Sequence, residues 1–236
     1  GVAVDASGVL SGSKFMVPDA AHAMWIAVVG SNAEGDSVIA LVAGNDVAAQ
    51  AQASHALIDL TKRATTIDFT GVKAQRVLSG DKVTSAIRDY LLIGALLTAA
   101  EAVGSTSACL AGIVDYLKTR KQFGKLIGSF QALKHPTVDI YVGMEHSRSL
   151  VYHASSEIDD GPLSVEAEVA CRMAKAKASD TIQYAGDRSV QFHGGFGFTW
   201  ECDSSLFIRR AAWSQQQFGD AMHHRKRLAP LLLDSE

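Results

Sequence analysis

The chain has 236 residues, 47% of them hydrophobic and 20% charged, enough for one large or two small domains. Its formal net charge of −3 leaves no basic footprint for nucleic acid. Cys109, Cys171 and Cys202 are odd in number and lack metal-ligand spacing, so reduced thiols in a cytoplasmic protein are the simplest reading. No apolar run reaches the roughly 18 residues that cross a bilayer, no signal peptide is visible, and no membrane partner is expected. The chain opens on Gly1 rather than Met and already in a strand pattern, as a fragment would.

Residues 1–80 read as β structure. Val2–Val4 and Val9-Leu10 flank the turn signal Asp5-Ala6-Ser7-Gly8; Lys14–Val17 stops at Pro18-Asp19. Met24–Val29 and Ser37–Ala43 are apolar strands around a polar loop, and Ala64–Phe69 alternates with period two. Strands this short predict a small barrel or sandwich. From about Val83 to Thr119 the period becomes helical, with Ile87, Leu91, Leu92, Ala95, Leu96, Ala99 and Val103 recurring on it. Gly94, Gly104 and Gly112 each cost about 1 kcal/mol against Ala, and close helix–helix contact is the expected reason. Further helices are expected over Phe130–Ile158, Ser164–Phe192, Ser204–Gln217 and Asp220–Leu233. The fold class is α+β: the β domain over residues 1–80, then an antiparallel four-helix-bundle domain over 82–236.

Two stretches carry chemistry. Arg120-Lys121-Gln122-Phe123-Gly124, continued to Gln131, places a guanidinium fork, an aromatic ring, a Gly hinge and an amide within twelve residues. Alone, it also fits a basic helix C-terminus, a Gly stop and a new helix near Ser129. Val190–Phe198 carries Gly194-Gly195, where a backbone can approach a ligand and offer N–H groups to a phosphate. A helix precedes it, so it is not a Rossmann fingerprint. His146 and His153 lie seven residues apart on one helix face, too far to share a metal, and no metal site is expected.

Jointly, Arg-x-x-Phe-Gly with a later Phe-Gln, a helix, Gln-x-x-Gly-Gly-x-Gly and an Arg-containing short helix resemble the acyl-CoA dehydrogenases. The resemblance covers the middle β domain (1–80) and the C-terminal helical domain (82–236), without the N-terminal helical domain. It implies a flavoprotein oxidoreductase of fatty acid or lipid metabolism. FAD would lie between the two domains, a glutamate would take the Cα proton of an acyl-CoA, and hydride would leave Cβ for the flavin. By the same resemblance, Arg120, Phe123, Gln131, Gln191, Gly194 and Gly195 contact the FAD of a neighbouring subunit, implying a dimer or dimer of dimers. Met16-Val17-Pro18 falls where Trp-Ile-Thr meets the isoalloxazine, so Val17 and Pro18 are flavin candidates while the Trp and the Thr hydroxyl are missing.

The base is the larger departure. Its usual position holds Phe218, and the alternative position on the first long helix holds Gly94. Asp220 and Glu101 are the substitute candidates, with a helix cap and an interhelical polar contact as their plainer roles. The resemblance therefore leaves several readings. One is a base-lacking partner in a hetero-oligomer with a homologous subunit that holds the glutamate. Another is an active homo-oligomeric dehydrogenase with a displaced base, and a third is a related flavin oxidase. Electron-transfer flavoprotein or a similar carrier is the expected acceptor for a dehydrogenase.

Overall fold

The computed structural model describes residues 1–48 and 51–233. The chain forms two compact units, Gly1–Asp89 and Tyr90–Glu236.

The first unit is a sheet of seven strands: β1 (Val2–Val4), β2 (Leu10–Pro18), β3 (Trp25–Ser31), β4 (Ser37–Ala43), β5 (Ala51–Ser54), β6 (Ala64–Asp68) and β7 (Arg76–Leu78). Their spatial order is β5-β6-β2-β1-β3-β4-β7. Alternation decides which face is buried: Val38, Ala40 and Val42 of β4 point to a core shared with Val2, Val4, Leu10, Val28, Ile67 and Phe69. β3 and β4 pair antiparallel from Trp25↔Ala43 to Ser31↔Ser37. The loop between them closes when the Asp36 N–H donates to Asn32 Oδ1 at 2.8 Å. β2 is bulged between Lys14 and Val17, where Met16 turns left-handed at φ 58°. A short helix, α1 (Gly44–Ala48), and strands β5 and β7 add to the expected elements. At three to five residues each, they are too short to show a period.

The second unit is helical. α2 spans Asp81–Thr119, starting in the first unit, and is followed by α3 (Gln131–Ser156), α4 (Val165–His193), α5 (Ser204–Gln216) and α6 (Ala221–Leu233). α4 is the hub. Its buried strip of Ala167, Ala170, Cys171, Ala174 and Ala178 is small enough to let its neighbours close on it. Ser164 caps it by accepting the Ala167 N–H at 3.1 Å, and Glu166 and Glu168 sit in its first turn.

Two expectations need correction. Close contact explains Gly94 but not Gly104 or Gly112, which meet no atom within 4 Å among the described residues and lie on the exposed side of α2. The tight crossings are at Gly143, where an added Cβ would stand 3.1 Å from Thr181 Cγ2, and at Gly186, where it would stand 2.9 Å from the Ile208 Cα. Second, α2 is long and apolar enough to cross a membrane by length and composition, with a mean hydropathy of 1.4 over the relevant window. Polar residues interrupt the run, which hid it from a search for unbroken apolar sequence. Half of that window is buried, and Leu92, Leu96, Ala99 and Ala102 go into the bundle core.

Candidate functional site

The Arg120–Gln131 stretch folds as a hairpin, not as a helix stop. β8 (Lys121–Gln122) pairs antiparallel with β9 (Lys125–Leu126), and the Ile127 N–H donates to the Arg120 carbonyl at 2.9 Å. The two residues between the strands, Phe123 (φ 54°) and Gly124 (φ 73°), are both left-handed, as in a type I′ turn. Such a turn matches the twist of its strands, but a bulky residue in it costs about 1–2 kcal/mol of backbone strain. The result is a Phe123 ring held at the tip, 89% exposed.

α4 ends at His193 and runs into a 3-10 turn over Gly194–Phe198. The three glycines here have separate reasons. Gly194 is left-handed at φ 60°. Gly197 is crowded, because a Cβ there would stand 2.5 Å from the Val190 carbonyl oxygen. Gly195 has neither constraint: its φ is not left-handed, and no atom lies within 4 Å of its Cβ position among the described residues. The space over Gly195 belongs to a cleft.

That cleft, about 800 Å³ within the helical unit, brings the two signatures together: Arg120 and Phe123 from the hairpin, Gly194 and Gly195 from the turn. Phe130 and Leu133 add apolar wall. His193 also lines it and stacks on Tyr116 at 4.1 Å between ring centroids. Its Nδ1 lies 2.8 Å from the Ser189 carbonyl oxygen, which can only accept, so Nδ1 carries the proton. A guanidinium, an open glycine backbone and aromatic rings suit a ligand with phosphate at one end and a planar ring at the other. Gln131 and Gln191 are exposed and do not line the cleft; Phe130 and Ala132 beside Gln131 do. Val17 and Pro18 lie on β2 of the other unit, at and after the bulge.

The two positions where a base is expected meet in space. The Phe218 ring lies over Gly94, with its Cζ and Cδ1 2.5 and 2.6 Å from where an alanine Cβ would sit. Tyr90 meets the same ring edge-on at 5.9 Å. Phe218 (φ 55°) and Gly219 (φ 95°) form a left-handed turn between α5 and α6. Two buried bases grip its carbonyls. His224 Nε2 donates to the Phe218 carbonyl at 3.0 Å, and Lys175 Nζ donates to the Gly219 carbonyl at 2.9 Å. Burial, and then the positive charges of Lys175 and Arg172, push the His224 imidazole down to about 4. Burial pushes the Lys175 ammonium down to about 8, opposed by Asp220.

The substitute acids are both engaged. Asp220 Oδ1 accepts the His223 N–H at 2.7 Å, the N-cap bond of α6. Glu101 forms an ion pair with Arg210, joining α2 to α5.

Residues 84–230 match the family described as "Acyl-CoA dehydrogenase, C-terminal domain". The chain belongs to the acyl-CoA dehydrogenase family. It is 38% identical to the acyl-CoA dehydrogenase IpdE2 of Mycolicibacterium smegmatis over 134 residues, covering 57% of this chain and 40% of that one. Against IpdE2 of Mycobacterium tuberculosis it is 40% identical over 122 residues, 52% of this chain and 36% of the relative. The matched part is thus well under half the length of these two relatives. Over its whole length it superimposes on 62% of a glutaryl-coenzyme A dehydrogenase chain, solved with glutaryl-CoA, at a TM-score of 0.91 and 22% identity. The acyl-CoA dehydrogenase fold thus accounts for both units.

Sequence reasoning missed Lys175, His224 and His193 of this member of the acyl-CoA dehydrogenase family. Lys175 carried a signal: it follows Cys171 by four residues and precedes Ser179 by four, on the strip that α4 buries. His224 sat within the run His223–Arg227, where the neighbours' charge suggested a solvated face.

Proposed function

We propose that this chain is a base-lacking subunit of an FAD-dependent acyl-CoA dehydrogenase, acting on an acyl-CoA thioester in a hetero-oligomer with a homologous chain. One observation carries the reading. The cofactor signatures converge on an open cleft, while both base positions are taken up by an aromatic ring seated on a glycine. Neither Phe218 nor Gly94 can accept a proton. Asp220 and Glu101 are already committed to a helix cap and an ion pair.

The residues present fit the adenosine diphosphate part of FAD. Arg120 would bind the pyrophosphate, the backbone at Gly194-Gly195 would approach it closely, and the exposed Phe123 ring would lie against the adenine. The hairpin already sets the Phe123 backbone, so only the ring's own rotation is left to order when the ligand arrives. The bound flavin supplies hydride acceptance. This chain's part is to hold one end of the cofactor, and the homologous chain would supply the base. A relative 33% identical over 129 residues is named as a subunit of a caffeyl-CoA reductase-Etf complex, in keeping with an electron-transfer flavoprotein as acceptor here.

The test is to purify the protein from its native context and measure flavin absorbance and intact masses on one peak. A second, homologous chain with one flavin for every pair of chains is the expected result. A homo-oligomer with one flavin per chain, whose turnover falls sharply in Asp220→Asn or Glu101→Gln, would overturn it.

A further inference from the structure

The most deeply buried cation in the helical unit is Lys175, 1% exposed, and the chemistry proposed above makes no use of it. Its Nζ has three acceptors: Ser179 Oγ at 2.9 Å, the Ser214 carbonyl at 3.1 Å and the Gly219 carbonyl at 2.9 Å. An ammonium has three hydrogens, so the set is complete. The Ser214 carbonyl belongs to the last turn of α5, the negative end of that helix, where a cation is favourable. The Gly219 carbonyl lies beyond the left-handed pair Phe218-Gly219. One side chain of α4 therefore fastens both ends of the segment that carries the Phe218 ring. A left-handed Phe is strained and persists only where its surroundings over-determine it. The Lys175 and His224 contacts are such surroundings.

We infer that Lys175 is a positioning residue: its protonated ammonium sets the Ser214–Gly219 turn and so seats the Phe218 ring on Gly94, making that seating dependent on the proton. Loss of the proton removes the charge that strengthens the bonds to the two carbonyls; Ser179 can then turn to donate to the amine, but the carbonyl bonds weaken and the turn loosens. The charged groups around it are Asp220, which favours the ammonium, and Arg172 and His223, whose positive charges act with that of Lys175 to keep the His224 imidazole neutral. Burial places the Lys175 transition at about 8. The inference stands on these contacts whether or not the chain turns over a substrate.

The experiment uses the full chain with ring-13C phenylalanine. Nine Phe signals are present, and Phe218 is assigned by its loss in Phe218→Leu. Between about pH 7 and about pH 9 its ring signals should shift with a midpoint near that of the lysine, and Tyr90→Phe should keep the transition. Lys175→Met should abolish it and leave the signal displaced at every pH. Ile182→Val, on the same helix and fully buried, should leave the Phe218 signal in place and so controls for lost packing. A Phe218 signal that is flat across this range, or that is unchanged in Lys175→Met, would overturn the inference. Should Lys175→Met fail to fold, the wild-type titration with the Tyr90→Phe control decides it alone.

Discussion

Replacing Gly94 with alanine tests whether the Phe218 ring is seated where the structure puts it. An added methyl would stand 2.5 and 2.6 Å from Cζ and Cδ1 of the ring, against about 3.5–4.0 Å for a comfortable carbon contact. The ring must retreat by about 1 Å, and overpacking of this kind costs about 1–3 kcal/mol. Helix propensity works the other way, favouring Ala over Gly by about 1 kcal/mol. The net effect in the wild-type background is a loss of about 0–2 kcal/mol. In a Phe218→Ala background the clash is gone, and the same Gly94→Ala change should stabilise by about 1 kcal/mol. Propensity is common to both arms, so the difference between them isolates the overpacking energy of about 1–3 kcal/mol. Urea unfolding followed by circular dichroism on the four variants measures it. Equal stabilisation by Gly94→Ala in both backgrounds would refute the Phe218–Gly94 contact and the occlusion argued from it.

Other outcomes follow from the same contacts. His224 is held below its ordinary value, so its contribution to stability is complete above about pH 6.5 and falls as pH drops towards 4, by about 3 kcal/mol in all. His224→Gln, which keeps a donor but does not titrate, should lose less stability between pH 7 and pH 4.5 in urea titrations than the wild type does. Asp220→Ala should cost about 1 kcal/mol through the lost cap, with flavin turnover of the purified complex unchanged; a collapse in turnover at intact stability would make Asp220 the base. Gly197→Ala should lower the melting temperature because its Cβ meets the Val190 carbonyl. Gly195→Val should leave melting unchanged and weaken flavin retention in the complex, read by fluorescence of released FAD.

The helices were legible because α3 and α4 run for 26 and 29 residues, long enough for their apolar period to show, and because the 39 residues of α2, apolar on more than one side, hold no proline. Ser164 was readable as a helix start from the acidic residues after it. The Arg120–Leu126 hairpin was not, because two-residue strands have no period and a Phe in a left-handed turn contradicts the preference for Asn-Gly there. Lys175 and Lys177 look alike in an Ala-Lys-Ala-Lys run, yet one is buried and the other is half-exposed. Only the three acceptors brought in from elsewhere on α4, from α5 and from the turn after it separate them. The meeting of Gly94 and Phe218 was out of reach for the same reason, since they stand 124 positions apart in the sequence.

The hairpin tip sets thermal hardiness against usefulness at a single codon. Asn at position 123 would relieve the left-handed strain at Phe123 and remove an 89% exposed ring from water, so a screen for heat resistance alone would favour Phe123→Asn. The same exchange would remove the aromatic surface proposed for adenine. A stabilised library of this protein should therefore be sorted on flavin retention before melting temperature, because the hardiest clones would be those that had given up their grip on the cofactor.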